Sequence, residues 1–443
     1  MTVPNWLPAA VTISTLGFVN LIFLLAATER GAALRARLRR LLRRVTGAPT
    51  LEKIRWWHVA AIASVGMIYV MAYDFSTHQF ACVAPGTPTD IGGFLAQGQA
   101  LWAGTNPFVV SSCGGPILEP DGFAAVLLNA IGAPGGLVGI ATVWSLVAIA
   151  LIPAAWYVAG RDRAYVVLVL ATSPLYFPLV SSQIDGASNA LVPLAVLLSL
   201  FFARRRGWAG TSIGGFLATQ RFPTLFPVLG LSGSLRSRWL SAVAAIAVFG
   251  VFTGICYALW GAPFVNTVFL DQLGRRSWSL NLWGIFLLQG GLPSGLGLEI
   301  GQALATLALV LVVFFTVRSP FRAAMITLVG VALLTQFLSF NILIWVLPVA
   351  LAGARPRWWL WGIAAVAALN YNYTLGMLAW LDGIYWPSEL LDVVLTILLL
   401  GLLVELWTMP DPLPPDAVAG GDSTRIISGT GVANGGPGPG AAE

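Results

Sequence analysis

From residue 8 to residue 409 the chain is a succession of apolar runs, each close to the roughly 20 residues a helix needs to cross about 30 Å of hydrocarbon. That repetition constrains the fold more than any other feature. In lipid every backbone N–H and C=O has to be satisfied within the chain, so only helices and closed barrels cross. The runs are rich in Leu, Ala, Val and Gly and show no short alternating pattern of a barrel strand, so they read as an all-α, polytopic transmembrane bundle. Charged residues make up 9% of the chain and hydrophobic ones 57%, with a mean hydropathy of +0.82, which leaves no room for a soluble enzymatic domain. A net charge of +6 would suit a nucleic-acid partner, but the basic residues sit in short clusters between apolar runs. That is the positive-inside signature of a membrane protein, and no nucleic acid is expected.

The clusters allow the topology to be counted. The run over 8–28 has no basic stretch before it and is followed by "ALRARLRRLLRR", so it reads as an uncleaved anchor with its N-terminus outside. In the rest of the segment 1–55, Leu34, Leu38, Leu41, Leu42 and Val45 share one helical face, and Arg35, Arg37, Arg39, Arg40, Arg43 and Arg44 fill the remainder. A helix lying on the anionic cytoplasmic leaflet follows. Residues 56–73 then go out, 74–135 form a long extracytoplasmic loop, 136–158 return, 164–180 go out and 187–203 return to "ARRRGW". Between that cluster and "SLRSRW" lies one apolar stretch, interrupted at Gln220, Arg221, Phe222 and Pro223. A re-entrant pair of half-helices keeps both clusters inside.

Residues 239–261 go out, 262–284 form a second outer segment, 298–317 return, 322–339 go out, 341–353 return, 357–377 go out and 389–408 end inside. The expectation is about a dozen crossings plus the re-entrant pair. They form a transmembrane domain over 56–409 of a multi-pass protein of the cytoplasmic membrane. The tail over 410–443, rich in Gly and Pro, has little to bury and is expected to be a disordered cytoplasmic extension.

Against this background the stretch "TPTDIGGFLAQGQALWAGTNPF" in the first outer loop stands out, because it sets the carboxylate of Asp90 at the mouth of an amphipathic segment. Ile91, Phe94, Leu95, Leu101 and Trp102 form an apolar stripe with Gln97 and Gln99 facing water, the pattern of a helix in the membrane interface. Thr89 or Asp90 serves as its N-cap, a role worth about 1 kcal/mol. The same carboxylate, held at the membrane surface, is suited to take a proton from a hydroxyl as a general base. Of the three cysteines, Cys82 and Cys113 share the outer loop, where an oxidising compartment permits a disulfide, and Cys256 reads as helix packing. His58 and His78 have no metal-ligand spacing and read as interfacial residues.

The outer-loop Asp, "ALWAGTNPF", "PILEPDGFAAVLLNAIGAPGG", "SQIDGASNALVPLAVLLSL", "GGFLATQRFPTLFPVLGL" between two arginine clusters, and "NILIWVLPVALAG" together resemble the GT-C superfamily of membrane glycosyltransferases over residues 55–405. Within it the chain is most similar to glycosyltransferase family 87, the polyprenyl-phosphate-sugar mannosyl- and arabinosyltransferases of actinobacteria. The resemblance implies an inverting transfer on the extracytoplasmic face, with Asp90 as catalytic base, a polyprenyl-phosphate sugar as donor and a glycolipid or glycan as acceptor. Arg275 and Arg276 are the candidates for the donor phosphate, since guanidinium pairs bidentately with phosphate oxygens. Snorkelling anchorage at the interface is their other role. Arg221, in the membrane-level break, either holds a lipid phosphate from the cytoplasmic half or satisfies the carbonyls of the broken helix. Gln183, Asp185, Asn106 and Asn341, within the motifs that carry the resemblance, are the candidate substrate contacts, and Asp185 also suits an N-cap.

The chain departs from the family pattern where it has "ILEPDG" in place of a Tyr-Pro-Pro type sequence, Ser182 to Asp185 in place of a Gly-Gln-x-Asn type, and Arg221 in place of lysine. Glu119 and Asp121 read as a turn around Pro120 and not as metal ligands, and the absence of a D-x-D motif makes a metal-independent enzyme without cofactor the expectation. Trp278, Trp283, Trp380 and Trp386 fall near outer helix ends, as aromatic-belt residues do. A transporter or flippase of a lipid-linked glycan is the alternative. It requires polar residues stacked along several helices at mid-depth and an internal repeat, and the sequence shows neither.

Overall fold

The computed structural model describes residues 90–112, 122–159, 190–203, 207–220, 224–229, 235–270, 296–334 and 388–408, with short pieces in 55–64, 82–88, 115–116 and 345–349. The secondary structure of these residues is dominated by helix, as the apolar runs require. The exceptions are two small antiparallel ribbons in the first outer loop, an addition to the all-α expectation. Strand β1 (Cys82–Ala84) pairs with β2 (Thr87–Pro88), and β3 (Ser111–Ser112) pairs with β4 (Gly115–Pro116). Between the ribbons lies α1 (Asp90–Trp102), followed by α2 (Phe123–Gly132) and, across a 3-10 turn, α3 (Gly136–Ala159).

Further along come α4 (Leu191–Ala203), α5 (Gly207–Ala218), α6 (Leu225–Leu229), α7 (Leu235–Val265) with a π-helical turn over Asn266–Leu270, α8 (Leu296–Thr316), α9 (Pro320–Leu334) and α10 (Ser388–Thr408). Helices α3, α4, α7, α8, α9 and α10 coincide with expected crossings to within a few residues. Two helical runs, Phe123–Val158 and Ser237–Leu270, are long and apolar enough to cross a membrane. The expected crossings at 8–28, 164–180 and 357–377, the basic amphipathic segment and the tail lie outside the described residues.

Burial separates inner from outer helices. Ala323 to Leu333 of α9 and most of Leu191 to Leu200 of α4 are buried on every side, which an amphipathic surface helix never is. By contrast α8 exposes Ile300, Leu304, Leu307, Leu311 and Phe315, and α7 exposes Val243, Ile246, Val251, Ile255 and Leu259. Rows of bare aliphatic side chains at helical spacing are costly in water and cost nothing against hydrocarbon. Together with the long apolar runs they make this a membrane protein.

Small residues let the inner helices approach. A Cβ at Gly215 of α5 would collide with the Ala245 carbonyl of α7, and Ser199 of α4 donates its hydroxyl to the Gly210 carbonyl of α5 at 3.0 Å. This is the small-residue packing of helices in lipid, where van der Waals contact and interhelical hydrogen bonds replace the hydrophobic drive. At 12 residues α5 spans about 18 Å, too short to cross, and it stops at the Thr219–Gln220 turn before the five-residue α6. The interruption read from the sequence is therefore present, with a short helix on either side of it.

Arginines of two of the basic clusters close helix ends. Arg238, 3% exposed, donates Nη1 to the Phe314 carbonyl at 2.6 Å. Arg322 donates Nε to Leu406 O at 3.0 Å and Nη2 to Trp407 O at 2.9 Å. The last carbonyls of a helix have no intrahelical donor and carry the negative end of its dipole, so a guanidinium satisfies both needs. The contacts gather the starts of α7 and α9 with the ends of α8 and α10, the four ends that the charge pattern puts on one side.

Candidate active site

Asp90 is the first residue of α1 and follows β2 by a single residue. It opens the helix, where a carboxylate in the first turn is favoured by the helix dipole. Three glycines, Gly92, Gly93 and Gly98, make α1 a poor helix on propensity alone, at about 1 kcal/mol each relative to alanine. Tertiary contacts and a well-made end hold it. Thr105 N–H bonds Ala100 O and Gly104 N–H bonds Leu101 O, with Gly104 at φ 68°, the Schellman arrangement that only glycine adopts without strain.

The expected lipid-lying stripe is corrected by the packing of α1. Ile91 and Phe94 are buried, each 2% exposed, but Gln97 is buried as well, at 0%, while Trp102 is 69% exposed and Gln99 faces outward. The reason is a partner that sequence spacing does not reveal. Gln97 Oε1 accepts from Asn129 Nδ2 of α2 at 3.1 Å, and Asn129 Oδ1 accepts from Trp144 Nε1 of α3 at 2.9 Å. A buried amide costs a few kcal/mol without a partner and little with one, so the chain of bonds turns that face of α1 inward. Beside it Gly98 lies against the Asn129 carbonyl so closely that a Cβ would overlap it. Phe94 packs at a tilt against Trp144 with ring centroids 5.5 Å apart, and Trp102 donates its indole N–H to Ala130 O at 2.7 Å. An asparagine in the otherwise apolar "FAAVLLNAIG" was the available signal, because a polar side chain within such a run needs a partner.

Asn106 is described, and both ends of its amide are engaged. Its Oδ1 accepts from Phe108 N at 2.9 Å and its Nδ2 donates to Trp260 O at 3.3 Å. That carbonyl lies at the break of α7, where Gly261 takes φ 59° and interrupts the regular helical ladder. Phe108 fills the kink, with ring centroids 5.4 Å from Trp260 and 5.2 Å from Phe264. Cys256 packs in the same apolar cluster, as expected. The "TNPF" motif thus docks the first outer loop on the end of α7 from which the second outer segment departs.

The start of α2 meets the re-entrant break. Gly122 donates its N–H to Gln220 O at 3.0 Å, and its Cα lies against the Thr219 carbonyl. The break before Arg221 is thereby carried to a helix of the first outer loop. Next to it the side-chain polar atoms of Gln220 and Thr224 are buried without hydrogen-bond partners.

Among the other candidates, His58 is half-buried, accepts from the Arg55 N–H at 3.0 Å and stacks on Trp57. Among the described residues no group of His, Cys, Asp and Glu gathers as metal ligands. Arg221, Arg275, Arg276, Gln183, Asp185, Asn341, Glu119, Asp121, Cys113, His78 and the four outer tryptophans lie outside the described residues.

A bundle of apolar helices onto which α1 is packed by buried polar bonds defines a helical membrane protein. Comparison adds one finding: residues 123–279 match the model of glycosyltransferase family 87, which bears out the resemblance and supports a glycosyltransferase. The match begins at α2, runs through the re-entrant pair and α7, and takes in Arg275 and Arg276, whereas Asp90 and α1 precede it. No curated protein and no solved structure matches the chain.

Proposed function

We propose that the protein is an inverting glycosyltransferase that moves mannose or arabinofuranose from a polyprenyl-phosphate donor to a cell-envelope glycolipid or glycan, on the extracytoplasmic face, with Asp90 as general base. The observation that carries this reading is the placement of Asp90 on the first residue of a helix anchored to α2 and α3, on the N-terminal side of the family segment. A base has to be held within hydrogen-bond reach of the hydroxyl it deprotonates, and a rigid element does this better than a loose loop.

The proton of the acceptor hydroxyl passes to the Asp90 carboxylate as the oxygen forms its bond to the anomeric carbon. The bond from that carbon to the phosphate oxygen breaks on the opposite face, and its electron pair leaves with polyprenyl phosphate. Phosphate is a good leaving group, so a general acid is dispensable and cations near the departing charge take its place. Arg275 and Arg276 are assigned that role. The chemistry calls for no metal and no cofactor.

The test is transfer by the purified protein in lipid, with mannose and arabinofuranose on polyprenyl phosphate offered against membrane glycolipid extracts. Asp90→Asn is expected to insert and fold normally and to lose nearly all transfer, about a thousandfold or more, since base catalysis and its positioning both go. Near wild-type turnover by that variant would sink the assignment. Arg276→Ala is expected to weaken donor use more than acceptor use.

A further inference from the structure

We infer that the buried bonds from Trp144 through Asn129 to Gln97 form the positioning device of the base, fixing the rotation and tilt of the helix that opens with Asp90. This rests on the reading of Asp90 as base. Positions 90, 94 and 97 share a face of α1, because seven residues are close to two helical turns, roughly 10 Å along the axis. On that face Phe94 packs against Trp144 and Gln97 bonds Asn129, so a rotation of α1 moves position 90 and breaks both contacts together.

The bonds permit one arrangement only. An indole N–H donates and never accepts, so Asn129 has to turn Oδ1 toward Trp144. Its Nδ2 then faces Gln97, which has to answer with Oε1. Each orientation is dictated by the one before, and the direction is set by a ring that is 2% exposed and fixed in α3. Three consecutive helices are thereby placed in register at one level, with the Gly98 contact as a steric stop beside it. None of the three side chains titrates, so the device holds its shape while Asp90 gains and loses its proton.

Residues Gln97 and Asn129 act through the helix and not on the substrate, which separates them from the catalytic group. The test uses the full chain in lipid with polyprenyl-phosphate mannose and polyprenyl-phosphate arabinofuranose as donors. It compares Gln97→Met, Asn129→Leu and the exchange Gln97→Asn with Asn129→Gln, all normalised to folded, monodisperse protein. Each single variant is expected to lose about tenfold in kcat with donor KM within about twofold. The acid limb of kcat against pH is expected to move by about half a unit, because the base sits in altered surroundings. The exchange keeps an amide-to-amide bond and is expected to recover to within about threefold of wild type.

A wild-type rate in Gln97→Met overturns the inference. So does a rate that falls only with the folded fraction while the acid limb stays in place, and so does a folded exchange variant as slow as the single variants. Asp90→Asn is run alongside. If it retains turnover, the base reading has failed; if it is inactive and the relay variants are not impaired, only the positioning role has failed.

Discussion

Asn106 shows how a residue chosen for its motif acquires a different set of partners in the fold. It was a candidate substrate contact, and the structure spends its amide on the Phe108 N–H and the Trp260 carbonyl, 154 residues away. Asn106→Ala is expected to cost about 1 kcal/mol per lost bond and to loosen the first outer loop from the kink of α7. Thermal unfolding in detergent, together with faster proteolysis of the loop, measures this. A variant as stable and as protected as wild type would show that Phe108 alone holds the dock. Arg322 makes the complementary case at the opposite end of the bundle. Its two bonds to the last carbonyls of α10 are charge-assisted, and Arg322→Ala is expected to destabilise the protein by about 2–4 kcal/mol. Arg322→Lys recovers part of this, because an ammonium lacks the fork that reaches both carbonyls.

Among the elements, α5 depends most on close approach. Gly215 meets the Ala245 carbonyl, and Gly214 lies against Ser199 of α4 and Val228 of α6, so three neighbours bear on one short helix. Gly215→Val is expected to cost about 1–3 kcal/mol by overpacking, and to separate α5 from α7. The transfer rate falls with it, because the turn at the end of α5 carries Gln220 to the start of α2. Reduced thermal stability with lost turnover is the expected result, and unchanged turnover would disconnect the re-entrant tip from the site. Helix α1 teaches the reverse lesson. Its glycines make it weak by propensity, yet one of them permits the contact that holds it, so local preference and global fit conflict at the element that carries Asp90.

For the whole molecule the question is sidedness. The charge clusters assign the loop after α1 to the outside and the α8–α9 turn to the inside, and Thr105 and Arg318 are exposed at those places. With Cys82 and Cys113 replaced by serine, the remaining Cys256 is buried. Thr105→Cys is expected to react with a membrane-impermeant maleimide in intact cells, and Arg318→Cys only after lysis. Labelling of both from outside, or the reverse pattern, would invalidate the count on which the extracytoplasmic site depends.

The sequence by itself determined α3, α4 and α7 to α10 to within a few residues, the break at Gln220, the membrane environment and the family resemblance. Those follow from hydrophobic run length, proline and glycine punctuation and charge clusters, which act over a few turns of chain and are legible without partners. Tertiary structure alone decided that Gln97 faces inward, that Asn129 joins it to Trp144, and that the "TNPF" loop sits on the kink of α7. A side-chain amide is polar in any reading of sequence, and whether it meets water or a buried partner depends on helices 15 to 154 residues away. Burial of such a group is affordable only when that partner arrives, and no local pattern records its arrival.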